Sequence, residues 1–280
     1  MKRCIILSMS IFSLLFCGCF KHKEAPHRPV TAQSLQEAVE LKDSVERIEM
    51  TDSEVGDLPG DLASMPRLSV LLFRGAKLGD LSVLPSLEQL VTLDISRTGQ
   101  KDIPVEVCSV TGLTQLYLAD NKIETLSGRI SSISSLEYLN LDRNQLVSLP
   151  EEIGNCVKLR WLRLNDNRLT VLPESIQKLT QLQRIYLANN KFKSVPEALQ
   201  HLPVLEDIDM SGNPVKVFPD WLTELPEIRQ LNFDGCQISE LPEDLSCMSG
   251  IEILSLGRCP VSSGEKERIR EALPRAHIAF

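Results

Sequence analysis

Few residues of this chain have the type and spacing that catalysis needs. Histidine, the side chain that titrates nearest neutral pH, occurs four times in 280 residues. His22 and His27 lie in a polar, proline-bearing stretch near the N-terminus, and His201 and His277 stand alone further on, so no Ser/His or Cys/His pair suggests itself. Zinc-protease, hydrolase-elbow, phosphate-loop and dinucleotide-glycine motifs do not occur. Asp207, Asp209 and Asp234 could offer oxygens to calcium, but they are too few and read as a solvated acidic patch. No metal or cofactor is expected. Past Cys19 the cysteines are Cys108, Cys156, Cys236, Cys247 and Cys259, an odd set whose spacings match neither a disulfide framework nor a zinc site. Cys236 and Cys259 are close enough in pattern for a disulfide; two small inward side chains are the simpler reading. Residues suited to binding are better represented. Tyr117, Tyr138, Trp161, Arg163, Arg184 and Tyr186 include every tyrosine of a chain that is only 5% aromatic. These types bury area and keep a polar handle, which is why they dominate binding hot spots.

A repeat positions these residues. Aligned on L-x-x-L-x-L-x-x-N-x-L-x-x-L-P, units begin at Val45, Leu68, Leu90, Leu113, Leu136, Leu159, Leu182, Leu205, Ile228 and Ile251. Each step is 23 residues except Leu68 to Leu90, which is 22. Such periodicity predicts a solenoid, since one unit cannot bury its apolar side alone and stacked units share a core. In Leu162-Arg163-Leu164 the alternation sends the leucines inward and Trp161, Arg163 and Asn165 outward. The six aromatic and arginine residues all fall at outward positions of four adjacent units. Those positions read as free of structural duty, so the six are candidates for a partner-binding patch; the competing reading is that the rings only brace the sheet by cross-strand pairing.

The ninth residue of the unit is Asn121, Asn144, Asn167, Asn190 and Asn213 in five consecutive units. An inward Asn there is expected to satisfy backbone groups left unpaired where the chain leaves the strand. The returning half of five successive units, as in Leu172-Pro173-Glu174, has Pro where a short helical turn should begin and an acid at its N-terminal end. Ends need covering. Ser34 with Glu37, and Ser262 with Glu265, have capping-box spacing. Residues 31–44 are expected to form an N-terminal cap with a helix over 34–42, residues 45–262 ten repeats, and 263–280 a C-terminal cap ending in a short strand from His277. With both caps accounted for, no second domain is expected.

The 23-residue L-P unit resembles the leucine-rich-repeat family. That resemblance implies an α/β solenoid, a right-handed horseshoe of ten units with a parallel concave sheet and short helical or 3-10 turns on its convex side. It also implies a protein or peptide ligand on the concave face, and binding rather than enzyme activity.

The N-terminus carries a different signal. Lys2 and Arg3 precede an apolar run from Ile5 to Cys17, too short to cross a bilayer comfortably, and Gly18-Cys19 follows. This resembles a bacterial lipoprotein signal and implies removal of residues 1–18, acylation of Cys19, and a bacterial cell-envelope location by lipid anchor. Residues 19–30 then form a polar tether. A net charge of −8 and a pI near 5.2 argue against nucleic acid. The leading expectation is a membrane-anchored protein-binding module. A host-directed adhesin or immune-interaction factor would use the same surface, and an envelope enzyme subunit lacks a catalytic set.

Overall fold

The computed structural model describes residues 28–280. The signal segment, Cys19 and most of the tether lie outside the described residues. Within them, one parallel sheet of twelve strands runs through the molecule. Its members are β1 (Thr31–Ala32), β2 (Arg47–Glu49), β4 (Val70–Leu72), β6 (Thr92–Asp94), β7 (Gln115–Tyr117), β8 (Tyr138–Asn140), β9 (Trp161–Arg163), β10 (Arg184–Tyr186), β11 (Asp207–Asp209), β12 (Gln230–Asn232), β13 (Ile253–Ser255) and β14 (His277–Ala279). β3 (Glu54–Gly56) and β5 (Lys77–Leu78) form a separate two-stranded pair where the first two units leave the main sheet.

Each unit gives the sheet only three residues because its leucines must alternate and then turn away. Ile185 shows the pattern: it is fully buried, while Arg184 and Tyr186 on either side remain half-buried on the concave face. The register is one unit per strand, so Tyr138, Trp161, Arg184 and Asp207 stand directly opposite one another along the sheet. The second unit, one residue short, keeps Val70 opposite Thr92 and takes up the deficit on its convex side. Its 3-10 helix, Leu84–Ser86, has three residues against five in Glu151–Asn155 or Glu174–Lys178.

The convex turns are 3-10 helices in eight units and one α-turn, α2 (Val105–Cys108). Proline sits one place earlier than expected. Pro150, Pro173, Pro196 and Pro219 are N-cap residues with extended backbone, not the first helical residue. A 3-10 turn needs an acceptor at its N-cap, and the Pro150 and Pro173 carbonyls accept from Ile153 and Ile176. The acid after each proline then occupies the first turn, where the helix dipole favours it.

Every unit makes a tight turn at its eighth residue that the sequence pattern did not announce. Asp52, Gly75, Arg97, Asp120, Arg143, Asp166, Asn189, Gly212, Gly235 and Arg258 all have φ between 49° and 73°. Only three are glycine, although a side chain in this region costs strain. Gly212 is constrained for a further reason: a Cβ there would lie 2.2 Å from Asn189 Oδ1.

Both ends are covered. Helix α1 (Leu35–Glu40) is shorter than the expected 34–42, since Ser34 is its N-cap and Leu41 its C-cap, and ahead of it the cap also joins the sheet: the Val30 carbonyl accepts from Glu46 and Arg47, and β1 pairs with β2. Ser34 caps α1 through the Glu37 N–H, while Glu37 Oε2 accepts from Gln33 N rather than from the N-cap itself. At the other end Ser262 caps α3 (Ser263–Ala272), and Glu265 instead reaches sideways to the Leu241 N–H. Arg268 binds both Glu265 and the Leu241, Pro242 and Glu243 carbonyls, stapling α3 to the ninth unit, and β14 closes the sheet against β13.

Candidate binding face

The face rests on the asparagine ladder beneath it. Asn167 Nδ2 donates to the Leu164 carbonyl of its own unit and to Leu141 of the preceding one, each at 3.0 Å, and its Oδ1 accepts from Leu146 N. Asn144, Asn190 and Asn213 repeat this set one unit apart, and Asn121 does so with two N–H groups, of Thr98 and Gln100, on its oxygen. Each amide therefore ties two units together through otherwise orphaned backbone groups. Cys236 and Cys259 continue the line as free thiols donating to the Met210 and Phe233 carbonyls, and burial pushes the Cys236 thiol up to about 11.

On the outward side the six predicted residues come together in two adjacent contacting groups. Tyr117 packs against Tyr138 at a tilt of 36° with ring centroids 4.8 Å apart, and Tyr138 meets Trp161 edge-on at 5.7 Å. The Arg184 guanidinium covers the Trp161 ring from the next strand, 4.9 Å from its centroid. Arg163 lies 5.0 Å from the Tyr186 ring centre, and the Tyr186 hydroxyl donates to Asp207 Oδ2 at 2.8 Å. Burial holds all three tyrosine hydroxyls above their ordinary value, Tyr138 and Tyr186 at about 12, so they act as neutral donors. Burial likewise raises the Asp207 carboxyl, against the lowering effect of the Tyr186 hydrogen bond and of Arg184.

Outward positions are not free of structural duty, as the sequence had suggested. The N–H of the unit's seventh residue needs an acceptor, and outward or rim side chains supply it. Asp94, Asn140, Asp209 and Asn232 accept it within their own units, from Ser96, Asp142, Ser211 and Asp234. Asp142, Asn165 and Asp234 accept it from the next unit, at Asn165, Ala188 and Gly257. Arg163 belongs partly to this scaffold. Its Nε and terminal nitrogen both bind Asp142 Oδ2 at 2.7 Å, and Asp142 is only 1% exposed. A buried carboxylate needs such a cation, so Arg163 braces the face as well as lining it. Of the aspartates offered for calcium, Asp209 and Asp234 accept backbone N–H groups and Asp207 accepts from the Tyr186 hydroxyl, and among the described residues no group of three or more His, Cys, Asp or Glu is arranged to hold a metal.

The chain belongs to the leucine-rich-repeat family: the leucine-rich repeat region model matches residues 124–272, just over half of the chain, and a second leucine-rich repeat model matches residues 88–146. The fold is the leucine-rich-repeat horseshoe. A leucine-rich-repeat protein of Leptospira interrogans is similar at 25% identity and a TM-score of 0.58, over 88% of this chain and 74% of that one. The internalin inlF of Listeria monocytogenes is similar in fold at 20% identity and a TM-score of 0.57, over 88% and 85% of the two chains. The plant peptide hormone receptor RGFR1, solved in complex with RGF2, matches 90% of this chain at 21% identity and a TM-score of 0.67, but only 42% of the receptor is covered. No curated protein sequence matches the chain.

Proposed function

We propose that the protein is a membrane-anchored binding module whose concave face, between Tyr117 and Tyr186, takes a protein or peptide partner. One observation carries this reading: the aromatic and arginine side chains of four adjacent units are locked against one another before any partner arrives. A patch ordered in advance spends little side-chain entropy on binding. Family and fold suit a protein-interaction role, and the receptor of similar fold was solved with its peptide hormone bound. For the anchor the support is the sequence alone. Lys2 and Arg3, the apolar run and Gly18-Cys19 place acylation on Cys19, and the protein in a bacterial envelope.

Partner capture from crosslinked membranes, followed by binding measurements on variants, tests the face. Trp161→Ala and Tyr186→Ala should each weaken binding by about 2 kcal/mol with melting temperature little changed. Unaltered affinity in both, or affinity lost only in step with unfolding, would place the partner elsewhere. For the anchor, fatty-acid labelling of wild type against Cys19→Ser should show label only on wild type; equal labelling would rule out acylation at Cys19.

A further inference from the structure

The patch ends abruptly. Along the row Tyr138, Trp161, Arg184, Asp207 the charge changes sign between two side chains directly opposite each other on β10 and β11. The neighbouring row repeats the change, from Arg163 and Tyr186 to Asp209. Arg163 is held by Asp142, whereas Arg184 lies over Trp161 and has no ion pair of its own among the described residues. Its guanidinium therefore keeps donors for an incoming anion, next to an aromatic wall that partly excludes water.

A cleft of about 290 Å³ opens immediately beyond this step. Tyr186, Asp207, Asp209, Gln230 and Asn232 give it polar walls, and Ile253 supplies apolar surface. Ile253 is 37% exposed, one of the few large apolar side chains left open among the described residues. Carboxylates at one side and aliphatic surface at the other match a lysine or arginine, whose stem covers apolar area while its head seeks oxygen. A cation seated there would also stabilise the charged form of Asp207, which burial disfavours.

The rings narrow the class of ligand further. Trp161 is flanked on both sides, by Tyr138 from β8 and by Arg184 from β10. Sugar rings bind aromatic residues by lying on an open ring face, and over Trp161 they would compete with the Arg184 guanidinium. The tyrosine hydroxyls and guanidinium N–H groups of the patch are donors, which favour oxygen-rich, extended backbone.

Resting on the reading of the concave face as the binding surface, we infer that the partner presents an extended polypeptide segment in which an acidic side chain seats on Arg184 and a basic side chain enters the cleft beside Asp207 and Asp209. Strands lie about 4.8 Å apart, and alternate residues of an extended chain about 6.8 Å apart. Acid and base two residues apart thus span the one to two strand spacings between the two seats.

An array of synthetic peptides of about 12 residues, each with two charged residues on a Ser/Thr/Ala background, tests this with the full chain as probe and a glycan array beside it. The charges are Glu and Lys, two Glu or two Lys, at every spacing. Wild type should retain mixed pairs two residues apart about tenfold over like-charged pairs. Arg184→Glu should shift the preference to two-Lys peptides and Asp207→Lys to two-Glu peptides, with thermal unfolding showing each variant folded. Retention of glycans, retention of peptides without regard to charge, or no retained peptide above the Trp161→Ala background would each overturn the inference. If Trp161→Ala releases the captured membrane partner while charge pattern proves irrelevant, the charge-pair inference falls and the binding face stands. If Trp161→Ala changes neither, the binding face itself is wrong.

Discussion

The inward ladder differs between its middle and its C-terminal end. From Asn121 to Asn213 each side chain donates to carbonyls of two units and accepts from a backbone N–H. At Cys236 and Cys259 a thiol donates to one carbonyl, Met210 or Phe233, and its sulfur is only a weak acceptor. The same backbone geometry is thus held by two chemistries of unequal strength. Adjacent units contribute stability mainly through their shared interfaces, so the asparagine units should carry more per junction than the cysteine units.

The largest effect expected from this comparison is at Asn167. Asn167→Leu leaves two carbonyls and an N–H unpaired inside the sheet, and should cost about 3 kcal/mol in chemical denaturation. A cost near zero would remove the ladder from the account. A smaller effect of opposite sign is expected at Cys236. Cys236→Asn extends the ladder by one rung and should gain about 0.5–1 kcal/mol; a loss would mean that the ninth unit is built around the thiol. Smallest is the staple that holds α3 to these weaker units. Hydrogen bonds from Arg268 keep the Glu265 carboxyl below its ordinary 4.5. Its contribution is therefore present above that value and is lost as pH falls through the lowered one. Glu265→Gln should cost under about 1 kcal/mol at neutral pH and nothing at pH values where wild-type Glu265 is protonated. A melting-temperature difference that persists in acid would contradict the ionic role.

The repeat, the strands and the ladder were legible because their residues recur: a Leu at a fixed offset, or five Asn in succession, states a demand that every unit shares. The turn at the eighth residue was not legible, although every unit makes it, because Asp, Arg, Asn and Gly all occupy that position. Backbone geometry is imposed there by the closing unit, and the side chains only tolerate it. The acceptors for the seventh N–H escaped for a related reason. The duty falls to the fifth residue of the unit itself at Asn140, and to the seventh residue of the preceding unit at Asp142 and Asn165, so no single column of the alignment shows it. The six concave residues were found by position and type. Which of them touch, and that Arg163 is tied to Asp142, depends on side-chain direction and on the unit alongside, which a linear pattern does not contain.

The second unit shows where this architecture has slack. It lost a residue, and the loss vanished into a shortened convex turn while Val70 stayed opposite Thr92. Length changes on the outer rim are thus uncoupled from spelling on the inner one. Insertions and deletions can accumulate behind the sheet in a lineage of such proteins without moving one letter of the recognition surface. That surface in turn can be rewritten residue by residue without disturbing the frame, provided the few outward acceptors are left in place.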